Sequence, residues 1–295
     1  MFIVMSTLYH GGMDLAERLK AAVIGICIVF GGLLLSLTTT QSSPYFEIHF
    51  LDVGQGDAVL IQTPDGYEVL IDGGKSSAVL QQLANEQSWN DRALDVVIAT
   101  HPDTDHVGGL VDVLQRYQVD LIIQTQAEGD SPAAAAFLAA ATAENATVEY
   151  ALAGQVIQIG ASTTIEVLSP ASETTNWASN AASVVVRVVY GDTAFMLTGD
   201  APAGVEDYLV GAYGADLQSN VLKLGHHGSK TSTSELFLDT VQPQYAVVSA
   251  SLDNSYGHPD QSVMQRVFAR EIQTSHTGTD GTVTFYSDGQ RVWRE

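Results

Sequence analysis

The stretch ALDVVIAT-HPDTDHVGG, Ala93 to Gly109, decides how this chain is read. Its first half is a short apolar run rich in β-branched residues, the pattern of a buried strand ending at Thr100. Its second half packs His101, Asp103, Asp105 and His106 into six residues directly after that strand. Two acids and two imidazoles converging on one loop repel and desolvate one another unless a divalent cation neutralises them, so this spacing predicts a metal centre at the strand's C-terminal end.

Working outward, YFEIHFLDV (45–53), DAVLIQT (57–63) and YEVLID (67–72) are three short β-rich runs separated by Gly, Pro and Asp turn signals, an antiparallel meander. Helical spacing in SSAVLQQLANEQ and VGGLVDVLQRY brackets the deciding strand, and VDLIIQT and PAAAAFLAAATAE continue the alternation. Five successive strands are predicted in TVEYAL, QVIQIG, TTIEVLSP, SVVVRVVYG and TAFMLTGD. AGVEDYLV, TSELFLDTV and QSVMQRVFAR are predicted helices around strands NVLKLG and YAVVSA, and GTVTFYSDGQRVWR is a terminal hairpin. Mixed strands with helices outside fit an α/β (α+β) fold, a four-layered αββα sandwich over residues 45–295. The polyalanine run Ala133–Ala136 is helix propensity and carries no function.

Residues 1–44 form a separate N-terminal segment whose Ala21–Leu37 run is seventeen residues without a charge, a short membrane anchor or a signal core. Arg18 and Lys20 precede the run and no cation follows it in TTTQSSPY, which places the N-terminus in the cytoplasm and the remainder outside the membrane, anchored or secreted. The single cysteine, Cys27, lies in that run, so a metal in the globular part is held by His, Asp or Glu. With 34 acidic against 12 basic residues the net charge is −22, which argues against a protein that coats nucleic acid but not against a nuclease whose cations supply local positive charge. His10 and His276 stand outside any cluster and read as structural or surface residues.

HPDTDHVGG resembles the metallo-β-lactamase signature HxHxDH, with Asp103 replacing its second histidine. Together with FLDVGQGDA (50–58), LTGD (197–200), LKLGHHGSKTSTS (222–234) and NSYGHP (254–259), it looks like the C-terminal hydrolase domain of the ComEC competence proteins, from Phe46 onward. The resemblance implies two divalent metal ions, with His101 and Asp103 on one, Asp105 and His106 on the other, and Asp200 bridging both. It makes one of His226 and His227 a ligand or a proton donor, and His258 a last ligand. The family's usual third histidine is missing, the equivalent SNAASVVVRV carrying Asn180 and Ser183; Asn180, His226 or water completes that metal's shell. Oxygen-rich ligation favours a harder ion, manganese ahead of zinc.

The residues leave other roles open. Asp200 also suits an N-cap for AGVEDYLV. FLDVGQGDA, with Asp52, Gln55 and Asp57, is a tight hairpin or a loop beside the metals. Ser229 and Lys230, near the N-terminus of TSELFLDTV, suit a phosphate oxygen, as Thr or Ser before Glu235 suits a capping box.

The resemblance implies hydrolysis of a phosphodiester, DNA foremost, through a dinuclear metal-activated hydroxide, with Asp105 orienting or deprotonating the water and His227 or His226 protonating the leaving oxygen. One rival is a surface or secreted phosphoesterase of other substrates, and another a non-catalytic, membrane-tethered metal-binding domain.

Overall fold

A computed structural model describes residues 43–88 and 90–294. The apolar run 21–37, with Arg18, Lys20, Cys27 and His10, lies outside the described residues. Among the described residues no helix is long and apolar enough to cross a membrane.

The described residues hold fifteen strands in two sheets. In the first, β1 (Phe46–Phe50), β2 (Val59–Gln62) and β3 (Glu68–Ile71) make the predicted antiparallel meander, and β4 (Ala93–Ala99), β5 (Gln118–Gln124) and β6 (Thr147–Tyr150) extend it in parallel. The crossovers are helices α1 (Ala78–Glu86), α2 (Thr104–Leu114) and α3 (Pro132–Ala143). The terminal hairpin β14 (Val283–Ser287) and β15 (Val292–Arg294) returns to pair with β1.

The second sheet opens with an antiparallel run, β7 (Val156–Ile159), β8 (Thr163–Ser169), β9 (Val185–Tyr190) and β10 (Thr193–Leu197). Parallel strands β11 (Val221–Lys223), β12 (Tyr245–Val248) and β13 (Gln273–His276) follow, crossed by α4 (Ala203–Tyr213), α5 (Glu235–Val241) and α6 (Gln261–Phe268). A four-residue turn of helix, α7 (Thr277–Asp280), leads to the hairpin. Strand β13 and α7 are not predicted: QTSH lacks an apolar stripe because the strand borrows its order from β12, and His276 serves locally, its Nδ1 accepting from the Gly278 amide at 3.0 Å.

Strand alternation explains the layers. In β3 and β4, Val69, Ile71, Val96 and Ile98 face the other sheet, while Leu70 and Val97 face the helices. In β10, Phe195 and Leu197 enter the same inter-sheet core, where Phe46 and Phe195 rings lie 5.1 Å apart, and Met196 points to the opposite helices. Three cores thus stack, one between the sheets and one under each helical layer, which gives the predicted αββα sandwich. Helix α2 begins at Thr104, three residues before the predicted start, so Asp105 and His106 ride on its first turn.

Gly109 sets how closely α2 approaches the loop after β3: a Cβ there would meet the Gly73 carbonyl oxygen at 2.0 Å. Gly109→Ala is expected to lower stability by about 1–3 kcal/mol in urea unfolding, the usual cost of overpacking. Gly211, on the open face of α4, has nothing within 4 Å of its notional Cβ, so Gly211→Ala is expected to stabilise by up to about 1 kcal/mol. Equal effects at the two sites would refute the close-approach account.

Candidate metal centre

The C-terminal ends of β3, β4, β10 and β11 meet at one point, and each delivers a charged or imidazole side chain there. From β4 the chain passes Thr100 and turns into His101 and Asp103, then into Asp105 and His106 on α2. From β10 it reaches Asp200, and from β11 His226 and His227. His101, His106, Asp200 and His227 are buried, His226 is half-buried, and the Asp103 carboxylate faces solvent.

Asp200 is the hub. Its Oδ2 lies 3.8 Å from His101 Nε2, 3.5 Å from His226 Nε2 and 3.6 Å from His227 Nε2, and its Oδ1 lies 3.4 Å from His106 Nε2. His101 Nε2 is 3.7 Å from Asp103, and His227 Nε2 is 3.4 Å from Asp105. Asp200 does not cap α4, whose N-cap is Pro202 without a side-chain bond; its amide instead donates to Ser183 Oγ at 3.2 Å.

From the sequence, one of His226 and His227 faces the metals while its neighbour points elsewhere or toward substrate; in the structure the Nε2 atoms of both lie within 3.6 Å of Asp200 Oδ2. Strand alternation does not apply, because both residues adopt left-handed backbone, with φ of 50° and 56°, and turn to the same side. Asn180 holds His226 from behind, its Nδ2 3.3 Å from His226 Nδ1, and Ser179 donates to Asp103 Oδ1 at 2.6 Å. His258 stands beside the group, its ring 5.5 Å from that of His226, with no ion pair to a carboxylate of the cluster.

The anion site predicted at Ser229, Lys230 and the start of α5 is filled from within. The backbone amides of Thr233 and Ser234 donate to the buried carboxylate of Glu206, and Ser234 Oγ caps Phe237 N. Ser229 is buried and bonds Thr231 at 3.0 Å, while Lys230 is exposed.

Three residues that sequence reasoning did not assign complete the centre. Asp57, from the hairpin loop after β1, is buried, with Oδ1 3.2 Å from His227 Nδ1. Lys223, at the end of β11, is buried, forms an ion pair with Asp57 and donates to the Gly199 carbonyl at 3.0 Å. Asp72, at the end of β3, accepts from Thr100 N at 2.8 Å and Thr100 Oγ1 at 2.7 Å, and its Oδ2 lies 2.7 Å from His106 Nδ1. Their signals were present: an acid directly after Gly-Gln-Gly, a lone cation in an apolar strand, and an acid before Gly-Gly.

Electrostatics measure how far the cluster lacks positive charge. Burial works against a charged His227, but Asp200 and Asp57 outweigh it and hold the imidazole at about 9. His106, equally buried, is raised well above its ordinary value by Asp200 and Asp72. Burial brings His101 down to about 3, with His106 adding to the effect. Burial would raise Asp200, yet His227 and His106 keep it well below the ordinary carboxylate range.

Asp57, His106, Asp200 and His227 each offer one ligand atom, all within 4.8 Å of one another. His101 Nε2, His106 Nε2, both ring nitrogens of His227, Asp57 Oδ1 and Asp200 Oδ1 are buried without a hydrogen-bond partner. Unsatisfied donor atoms of this kind, converging and buried, fit a cation. His106 has the form of an oriented ligand, one ring nitrogen bound by Asp72 and the other free.

Asp72→Ala is therefore expected to weaken divalent-metal binding about 10–100-fold in calorimetric titration; unchanged affinity would remove Asp72 from this role. At pH 7 His106 and His227 hold protons that a cation must displace, so affinity is expected to rise with pH up to about 9. Titration in buffers of different ionisation enthalpy checks this by counting released protons; no release contradicts it.

Comparison with known proteins agrees with this architecture. The model of the "Metallo-beta-lactamase superfamily" matches residues 51–251. The ComE operon protein 3 of Bacillus subtilis is 31% identical over 279 residues, covering 88% of this chain and 35% of that protein. The competence protein ComA of Neisseria gonorrhoeae is 36% identical, covering 79% of this chain and 31% of its own length. The chain thus spans about a third of the length of these relatives. Among solved structures, Igni18, a metallo hydrolase from Ignicoccus hospitalis, superposes with a TM-score of 0.54 at 16% identity, over 81% of this chain and 98% of that one, a likeness of fold. Sandwich, donor cluster and sequence agree, and the chain belongs to the metallo-β-lactamase superfamily, with the ComEC-type competence proteins among its relatives.

Proposed function

We propose that this chain is a metal-dependent phosphodiesterase that cleaves DNA outside the cytoplasmic membrane. The observation that carries the metal dependence is the set of buried, unpartnered imidazole nitrogens and carboxylate oxygens converging on Asp200. The step to DNA rests on the competence proteins to which the chain is similar. The location rests on the charge bias around residues 21–37, which also bears the membrane contact.

In this reading His101, Asp103 and Asp200 would hold one divalent ion, and Asp57, Asp105, His106, Asp200 and His227 a second, with His226 left free of metal. Bound there, the ions supply a water of lowered pKa and neutralise charge on the phosphorus centre. Carboxylates outnumber imidazoles in these sets, which favours manganese and admits zinc. Asp105, part-exposed at the cavity edge and 3.4 Å from His227, orients the attacking water. His226 is the less buried of the two adjacent histidines, and it donates the proton to the leaving oxygen. Asn180 holds its ring for that transfer. The acidic surface favours a second reading, a phosphoesterase of small or non-nucleic-acid substrates, because it opposes a polyanion everywhere but at the cations.

The test is cleavage of end-labelled DNA by the full chain after EDTA treatment, with Mn²⁺, Zn²⁺ or Mg²⁺ restored. Cleavage is expected to need the metal and to fall at least about 100-fold in Asp105→Ala and His101→Ala. Near-normal turnover in Asp105→Ala would sink the mechanism. Hydrolysis of bis-p-nitrophenyl phosphate without DNA cleavage would favour the second reading.

A further inference from the structure

The loop Ser251–Asp260, between β12 and α6, is not used by the chemistry above, yet it walls the cavity that opens onto Asp105. That cavity measures about 440 Å³ and is lined by Gln55, Lys75, Thr104, Asp105, Asn254 and Tyr256, among others. Its size suits a nucleotide-sized group.

Tyr256 is 67% exposed, an unusual position for a large aromatic ring, and its other side is backed by His258 in a stacked arrangement, 5.8 Å between centroids and 23° between planes. The ring is held rather than loose. Asn254 fastens the loop with four bonds: its Nδ2 donates to the carbonyls of Ser251 at 2.7 Å and His258 at 2.6 Å, and its Oδ1 accepts from the amides of Tyr256 at 3.2 Å and His258 at 2.9 Å. Gln55 joins the loop to the hairpin that bears Asp57, accepting from Ser251 N at 3.4 Å. Its Nε2 is left buried without a partner, a donor in the cavity wall. Lys75, exposed on the same cavity, makes no ion pair among the described residues.

We propose that Tyr256, backed by His258, is a stacking platform for an unpaired nucleobase, and that it directs the site toward single-stranded DNA. An aromatic ring with one face covered and one open accepts a base without regard to its identity. The free amide of Gln55 offers a hydrogen bond to the seated nucleotide and Lys75 a charge to its phosphate. A paired base presents no face, so a duplex gains nothing from the ring. This inference rests on the phosphodiesterase reading and adds the form of its substrate.

The test compares wild type, Tyr256→Ala and Tyr256→Phe, each as the full chain with Mn²⁺. The substrates are an oligo(dT) strand, the same strand carrying abasic sites, a duplex, and bis-p-nitrophenyl phosphate. Tyr256→Ala is expected to raise KM for oligo(dT) about tenfold and to weaken its binding in fluorescence anisotropy equally, with Tyr256→Phe close to wild type. The abasic strand is expected to be unaffected by either substitution. An oligo(dT) KM unchanged in Tyr256→Ala would overturn the platform while leaving the nuclease reading intact. A wild type that hydrolyses the small diester but cuts no strand would overturn the nuclease reading, and the platform with it.

Discussion

Five carboxylates, of Asp57, Asp72, Asp103, Asp105 and Asp200, meet one fixed cation, Lys223, where the edges of two sheets converge. Ionised, they leave four negative charges in a site where Asp57, Asp72 and Asp200 are almost wholly removed from water. Isolated buried charge of that density does not persist; it is protonated, paired or bound to metal. The raised His106 and His227 are the protein's internal answer, and two divalent cations carry the same charge as the deficit. The need for compensation ties together the loops, the helix starts and the strand ends around Asp200.

The fold meets that need by making neither sheet sufficient alone. Asp57, Asp72, His101 and His106 come from the meander sheet and its crossovers, while Asp200, Lys223, His226 and His227 come from the other sheet. The Lys223–Asp57 pair therefore spans the two halves, and both partners are buried. Removing one partner of such a pair is costly, because the other is left charged in a poorly hydrated interior. Asp72, Thr100 and His106 form the rigid counterpart within the first sheet, each bond fixing the ring that must present a free nitrogen.

The sandwich was legible because its strands carry strict alternation or continuous apolar runs, and because the parallel segments alternate with helices. Strand β13 escaped, since QTSH has one buried residue and takes its register from Tyr245–Val248. The deciding loop was legible because its ligands are adjacent in sequence. Asp57, Asp72 and Lys223 were not assigned, since each sits far along the chain from the loop and its meaning is set by tertiary convergence. A single Asp after a strand reads equally well as a turn residue. That both histidines turn toward Asp200 was not legible for a backbone reason: alternation holds for β structure, and residues 226 and 227 are left-handed. Ser229 and Lys230 followed a sound rule about helix N-termini, but an internal carboxylate, Glu206, had already taken the amides.

The net charge of −22 bears on how a polyanion would reach such a centre. The chain has four lysines; Lys20 lies outside the described residues, Lys223 lies inside the cluster, Lys75 lines the adjoining cavity and Lys230 follows the histidine turn. The arginines are spent elsewhere, as in Arg187 with Glu166, Arg270 with Asp239 and Arg294 with Asp280. Of the described lysines, Lys75 thus stands at the mouth of the site, on a chain whose net charge otherwise repels phosphate. Repulsion of this kind, screened beyond roughly 10 Å at moderate salt, disfavours unproductive contacts more than it slows approach to the metals. A net charge of this sign is compatible with a nuclease that meets a strand at its cations, and it counts against a protein that stores or coats DNA.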